Sequence, residues 1–431
     1  MFLQKDRCVL LPVIVISLLL QGCSDKEPLK GIRENVLSLD NVGEFNEHID
    51  EQPVILDAAI LNHSYPQAYM NAYHCYYPLN FSMNSMRNLW TVGLDFEATK
   101  SIKITASPIV SDGKIFCADA GGIVYAFDAK TGSQLWRTSV TIEGKDGQSG
   151  MAMAYAGGHL IVTSCFSEAV SLNPKNGTVQ WRIKLPASSK GDAITISDDR
   201  VFFMCSNSSL KVVDINSGKL LWSHSGIISE SAYLGSAAVA VDGDIVYLAY
   251  PSGEIFALLV ETGSVIWESV FPKFSVSNAS RAFVHPKASP VVKDGIVYFV
   301  ASNEQTIAFD AKTGNRLWIK DYGGVRTPIV SGNSIFVLNS GAELVCLNRF
   351  NGNIRWKSIL SSDKRNNDYG LILIKDHILA VSSEGEILFV SVKNGKVIKR
   401  ENTTESVSVN PIIADSTLYI LSNDGNLSAY K

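Results

Sequence analysis

ASPIVSDGKIFCADAGGIVYAFDAKTGSQLWRTSV, residues 106–140, strings together four short runs rich in Ile, Val, Phe and Tyr. Asp112-Gly113, Gly121-Gly122 and Thr131-Gly132 separate them. Short β-branched and aromatic runs, with Gly where a turn needs positive φ, read as four antiparallel strands joined by tight turns. The pattern returns at a spacing of roughly 40–45 residues, that of propeller blades.

The last turn and strand give the clearest phase. AFDAKTGSQLW ends at Trp136, SLNPKNGTVQW at Trp181 and VVDINSGKLLW at Trp222. ALLVETGSVIW ends at Trp267, AFDAKTGNRLW at Trp318 and CLNRFNGNIRW at Trp356. A seventh copy, FVSVKNGKVIK, places Lys399 in the tryptophan position. A second landmark, the turn before each second strand, occurs eight times, at Asp112-Gly113, Gly157-Gly158, Asp198-Asp199, Asp242-Gly243, Asp294-Gly295, Gly332-Asn333, Asp376-His377 and Asp415-Ser416. The eighth unit stops at Lys431, one strand short, while Asn88-Leu89-Trp90-Thr91-Val92 reads as an orphan fourth strand. Pairing the two removes the open sheet edges. The expected fold is therefore all-β, an eight-bladed β-propeller of four-stranded antiparallel blades. An N-terminal strand closes the ring against the C-terminal blade.

Composition narrows the function. The chain has 431 residues, 46% of them apolar and 19% charged, with a net charge of −4 and no basic block. Nucleic-acid binding rests on clustered positive charge, so no nucleic-acid surface is expected. Besides Cys8 and Cys23, the cysteines are Cys75, Cys117, Cys165, Cys205 and Cys346, an odd set with no close pair. They read as small core thiols rather than a disulfide framework. There is no H-x-x-x-H pair, P-loop or Gly-x-Ser-x-Gly elbow. His63, His74 and Cys75 fall close together, where a packed aromatic segment accounts for them, and no metal is expected.

At the N terminus, Lys5 and Arg7 precede the apolar run Val9 to Leu20, which is too short to span a bilayer. It ends in Leu20-Gln21-Gly22-Cys23, which resembles a bacterial lipobox. On that reading residues 1–22 are a lipoprotein signal peptide and Cys23 carries the lipid; an ordinary secretory signal is the alternative. Acyl chains contribute about 0.8 kcal/mol per buried CH₂, enough for stable anchoring with several chains. Residues 23–40 then form a tether, 41–88 an extension packed on the ring, and 89–431 the propeller.

The AxDxxTGxxxW unit resembles the repeat of pyrroloquinoline-quinone-type propellers. There the tryptophan docks neighbouring blades, a role that falls here on Trp90, Trp136, Trp181, Trp222, Trp267, Trp318 and Trp356. Pro28 to Leu37 (PLKGIRENVL) and Asn62 to Gln67 (NHSYPQ) resemble segments of the α-proteobacterial BamB family of outer-membrane assembly lipoproteins. That resemblance implies a non-catalytic scaffold without a cofactor. It would be a monomer within a complex, lipid-anchored on the periplasmic face of the outer membrane. Its partners would be the periplasmic domains of the β-barrel insertase and other assembly lipoproteins. The family's contact loops match two stretches. One follows Trp222 and offers Ile227, Ile228, Glu230 and Ser231, with Ile228 where relatives carry arginine. The other, Ser277 to Pro290, offers Arg281, with His285 and Lys287 in the places of two aspartates. Two rivals share the fold. A quinoprotein dehydrogenase would need a calcium site, an aspartate base and usually adjacent cysteines, and no adjacent cysteines occur. A generic periplasmic binding propeller would lack the two terminal segments.

Overall fold

Residues 109–139 form four strands, Ile109–Ser111, Lys114–Ala118, Ile123–Asp128 and Gln134–Ser139, paired in sequence order as one antiparallel sheet. The second and third strands are buried on both faces because each blade packs between two others. The fourth is exposed except at Trp136 and marks the rim. Six further sheets repeat this order: blade 2 covers 152–184, blade 3 194–225, blade 4 240–270, blade 5 291–320, blade 6 329–359 and blade 7 369–402. The eighth takes three strands from 412–430 and its fourth from Asn88–Gly93, with Trp90 opposite Ala429 and Val92 opposite Leu427. First strands of neighbouring blades approach one another, so they line the axis. Eight apolar clusters fill the eight blade interfaces. The computed structural model describes residues 49–83, 86–95, 104–141, 150–164, 166–189, 191–228, 237–272, 287–302, 304–362, 368–403, 406–407 and 409–431. Cys23 lies outside them.

Two of the eight early turns sit one residue from their expected place. The left-handed residue is Gly243 in blade 4 and Lys375 in blade 7, so these turns are Gly243-Asp244 and Lys375-Asp376. In blade 7 a lysine holds the left-handed conformation, one residue before the Asp376 that marks the turn in the sequence.

All seven indole N–H groups donate to a backbone carbonyl in the next blade. Trp90 reaches Lys130, Trp136 Pro174, Trp181 Ile215, Trp222 Val260, Trp267 Ala311, Trp318 Arg349 and Trp356 Val392, at 2.7–3.1 Å. Each acceptor sits in the tight turn between third and fourth strands. Blade 8 has no such turn, because its third strand, Asn426–Tyr430, and its fourth, Asn88–Gly93, are not consecutive in the chain. That accounts for Lys399: an indole there would find neither carbonyl nor glycine to sit on. Its ammonium instead donates to Met83 O at 2.8 Å, on the chain entering the closing strand, and pairs with Glu401.

Residues 62–79 form a strap that touches the innermost strand or its turn in every blade, in ring order. Asn62 bonds Ile413 of blade 8, and Tyr65 exchanges backbone hydrogen bonds with Val110 of blade 1. Pro66 O accepts from Tyr155 of blade 2, and the Gln67 amide brackets Ile196 of blade 3. Ala72 O and Tyr73 O accept from Val241 and Val292 of blades 4 and 5. The Cys75 thiol points at Val330 O of blade 6, and Leu79 N donates to Leu373 O of blade 7. An inner strand otherwise leaves one row of backbone groups unpaired on the axis side; the strap satisfies part of each row.

His74 is buried at 1% exposure and bonds Pro290 O through Nδ1 at 2.9 Å. Burial lowers its pKa from 6.5 to about 4. The folded ring therefore holds His74 neutral where the unfolded chain protonates it. Stability from this residue is intact above the unfolded pKa and falls with acidification until about pH 4. The loss reaches about 3 kcal/mol. Urea midpoints for His74→Gln should flatten across this window relative to the parent; parallel profiles would place the acid sensitivity elsewhere.

Candidate partner-binding face

The two ends of the ring differ. The strap occupies the end that carries the turns between first and second strands, such as Asp112-Gly113. The opposite end carries the loops from each fourth strand to the next blade's first strand. Ile227 and Ile228, the described part of the first stretch singled out for partner contact, belong to this loop end.

Ile227 and Ile228 follow the outer strand of blade 3 and are 66% and 74% exposed. Their backbone is held firmly. Gly226 N donates to Ser208 O, and Ile227 N donates to a Glu254 carboxylate oxygen at 2.6 Å, which Ser252 Oγ also reaches. Glycine is required at 226, since a Cβ there would lie 2.3 Å from the Tyr250 ring. Tyr250 is fully buried and bonds His224 Nδ1 at 2.9 Å, stacked on the same imidazole. Burial lowers the His224 pKa, which keeps this support neutral. A rigid base thus presents two apolar side chains to solvent, the arrangement of an interface anchor. Lys287 is exposed at the start of the run into blade 5. Glu230, Ser231, Arg281 and His285 lie outside the described residues.

Glu254 is not evident from the sequence as part of this site. It opens a third strand, four residues after the buried Tyr250, and only the fold brings it under the loop of the preceding blade. Val270, 63% exposed at the loop end of the blade 4 outer strand, is a second apolar residue to which the motif does not point.

At the axis, the loop end holds a polar group of residues. Asp192 accepts from Tyr69 Oη at 3.1 Å and from Ser107 Oγ and Asn410 Nδ2 at 3.4 Å. Burial raises its pKa. Arg326 pairs with Asp368 at 2.7 Å. The Asp192 contacts tie blades 1, 3 and 8 to the strap. No group of three or more metal-ligating side chains forms among the described residues. Asp128 and Asp310 cap their own turns, accepting from the backbone N–H and hydroxyl of Thr131 and Thr313.

Residues 82–150 and 120–358 match the family model described as outer membrane protein assembly factor BamB. A BamB from Yersinia pestis is 24% identical over 323 residues, covering 73% of this chain and 81% of the relative. The crystal structure of BamB from Moraxella catarrhalis superposes with a TM-score of 0.68 at 19% identity, covering 80% of this chain and all of that one. A quinohemoprotein alcohol dehydrogenase from Comamonas testosteroni reaches a TM-score of 0.65 at 12% identity, covering 85% and 80%. At that identity the likeness is one of fold alone. The family match begins at residue 82, so the strap lies before it.

Proposed function

Because this chain belongs to the outer membrane protein assembly factor BamB family, we propose that it is a non-catalytic scaffold of the outer-membrane β-barrel assembly machinery. Its partner is the periplasmic part of the barrel insertase, alongside other assembly lipoproteins, and a lipid on Cys23 tethers it to the membrane. The observation that carries the reading is the Ile227–Ile228 pair, exposed on a braced loop at the end of the ring opposite the strap. Apolar side chains held out by a rigid backbone lose little freedom on binding, which favours recognition. The changed charges at His285 and Lys287 imply that the partner's side is changed to match.

Affinity capture of the lipidated protein from its own membranes should recover the insertase. In Ile227→Asp, recovery should drop about tenfold, the effect of a charge set into an apolar contact. The thermal melt should not move, since the Ile227 side chain is largely in solvent and the bond to Glu254 is made by its backbone. Recovery of no outer-membrane assembly component by the parent protein would overturn the assignment.

A further inference from the structure

On each outer strand, the residues after the tryptophan alternate between blade and solvent. In blade 2 the outward residue after Trp181 is Arg182, which pairs with Glu168 at 2.6 Å; Glu168 opens the third strand. Blade 7 repeats this with Arg400 and Glu386. Blade 4 keeps the glutamate, Glu254, but has Glu268 in place of the arginine. In the register Glu254 faces Val270 and Glu268 faces Phe256, so the two carboxylates are diagonal neighbours on adjoining strands. Glu254 turns to the Ile227 N–H, and Glu268 has no ion pair among the described residues.

The rest of this edge carries no Lys or Arg, a feature shared with the outer strands of blades 3 and 8, LLWSHS and NLWTVG. Outer strands of blades 1, 2, 5, 6 and 7 carry Lys or Arg, which discourage another chain from pairing with an exposed edge. VIWESV of blade 4 has no basic residue, and Ile266, Glu268 and Val270 all face solvent. From Trp267 to Val270 the pairing is regular, with the bulge confined to Ile266.

We propose that the outer edge of blade 4 accepts an extended segment of a partner chain as a fifth strand. The segment carries a basic residue with an apolar residue two positions away on each side. Its backbone completes the free N–H and C=O groups of the edge, as in other strand-addition sites. The basic side chain sits against Glu268, where blades 2 and 7 supply their own arginine, and the apolar ones meet Ile266 and Val270. Ile227 and Ile228 lie at the loop end of the same side and extend the apolar contact. The inference deepens the scaffold reading by naming the kind of segment held, and purified protein with a synthetic peptide tests it without the insertase.

The probe is a labelled nine-residue peptide of alternating Thr and Val with Lys at its centre. A Glu-centred copy and a copy N-methylated on alternate backbone nitrogens accompany it. By fluorescence anisotropy with the full chain in detergent, the Lys peptide should bind about tenfold more tightly than the Glu peptide. The N-methylated copy should not bind. Glu268→Lys should invert the charge preference, while Leu135→Lys on the blade 1 rim should leave it unchanged, both with unaltered melts. Absence of binding, equal binding of the Lys and Glu peptides, tolerance of N-methylation, or no inversion in Glu268→Lys would each overturn the proposal.

Discussion

A chain starting at residue 82, without the strap but with the closing strand intact, should lose its cooperative thermal transition and bind hydrophobic dyes. The strap and the two residues after it bury Tyr65, Tyr69, Cys75, Tyr76, Leu79 and Phe81, each at 9% exposure or less. At roughly 1.5–3 kcal/mol for a large apolar side chain, their removal is comparable to the whole net stability of a typical domain, about 5–15 kcal/mol. The backbone adds to this. Val110, Tyr155, Val241 and Val292 donate to strap carbonyls from strands that face the axis, so deletion leaves those groups without their protein partners. The loss should fall on all blades together rather than on one, because the strap contacts every blade. Asp57 extends the hold beyond the circuit: it pairs with Lys293 at 3.0 Å and accepts from Ser331 and Gly332. Supplying a peptide of residues 49–81 in trans should restore part of the transition. A truncated chain that melts within a few degrees of the parent would show that the ring stands by itself and that the strap is decoration.

The strap also shows where the sequence stops being informative. The blades are legible because one unit recurs, with Trp and Gly in fixed phase, and a repeat averages away local ambiguity. The strap occurs once. Most of its contacts are backbone hydrogen bonds, such as Ala72 O to Val241 N, which any residue can make and no side chain announces. Gln67, whose amide mimics a backbone pair against Ile196, is a contrast, a side chain suited to the task. The count of seven tryptophans against eight turns locates the shared blade, yet Lys399 makes sense only once the non-consecutive strands Asn426–Tyr430 and Asn88–Gly93 are seen to replace a turn. At the partner face, Ile227 and Ile228 are legible by resemblance. Glu254 is not, because its partner, the Ile227 N–H, belongs to the preceding blade. The signal that could have found this region is internal to the repeat, the change from Arg182 and Arg400 to Glu268 at one position of the unit.

Replacing Gly395 with Ala should destabilise the ring by about 2–5 kcal/mol, for two separable reasons. At φ +70° an L-residue costs about 1–2 kcal/mol. A Cβ there would also lie 2.5 Å from Cε3 of Trp356, whose indole is pinned by its bond to Val392 O at 2.8 Å and cannot easily retreat. Forcing an extra carbon against a fixed ring adds roughly 1–3 kcal/mol. The two parts can be told apart. Gly113 has the same φ of +70°, with nothing within 4 Å of the place its Cβ would take, so Gly113→Ala should show the backbone cost alone. In a Trp356→Ala background, Gly395→Ala should likewise fall to that smaller value, giving a coupling energy of about 1–3 kcal/mol between the two sites. Additivity within about 0.5 kcal/mol, read from denaturant midpoints, would mean the glycine serves the turn only. Coupling would mean that tryptophan and glycine form one joint across the blade interface. That joint explains why the Gly and the Trp keep phase across the repeat, and why blade 7, facing a blade with no turn, carries Lys399 in place of the tryptophan.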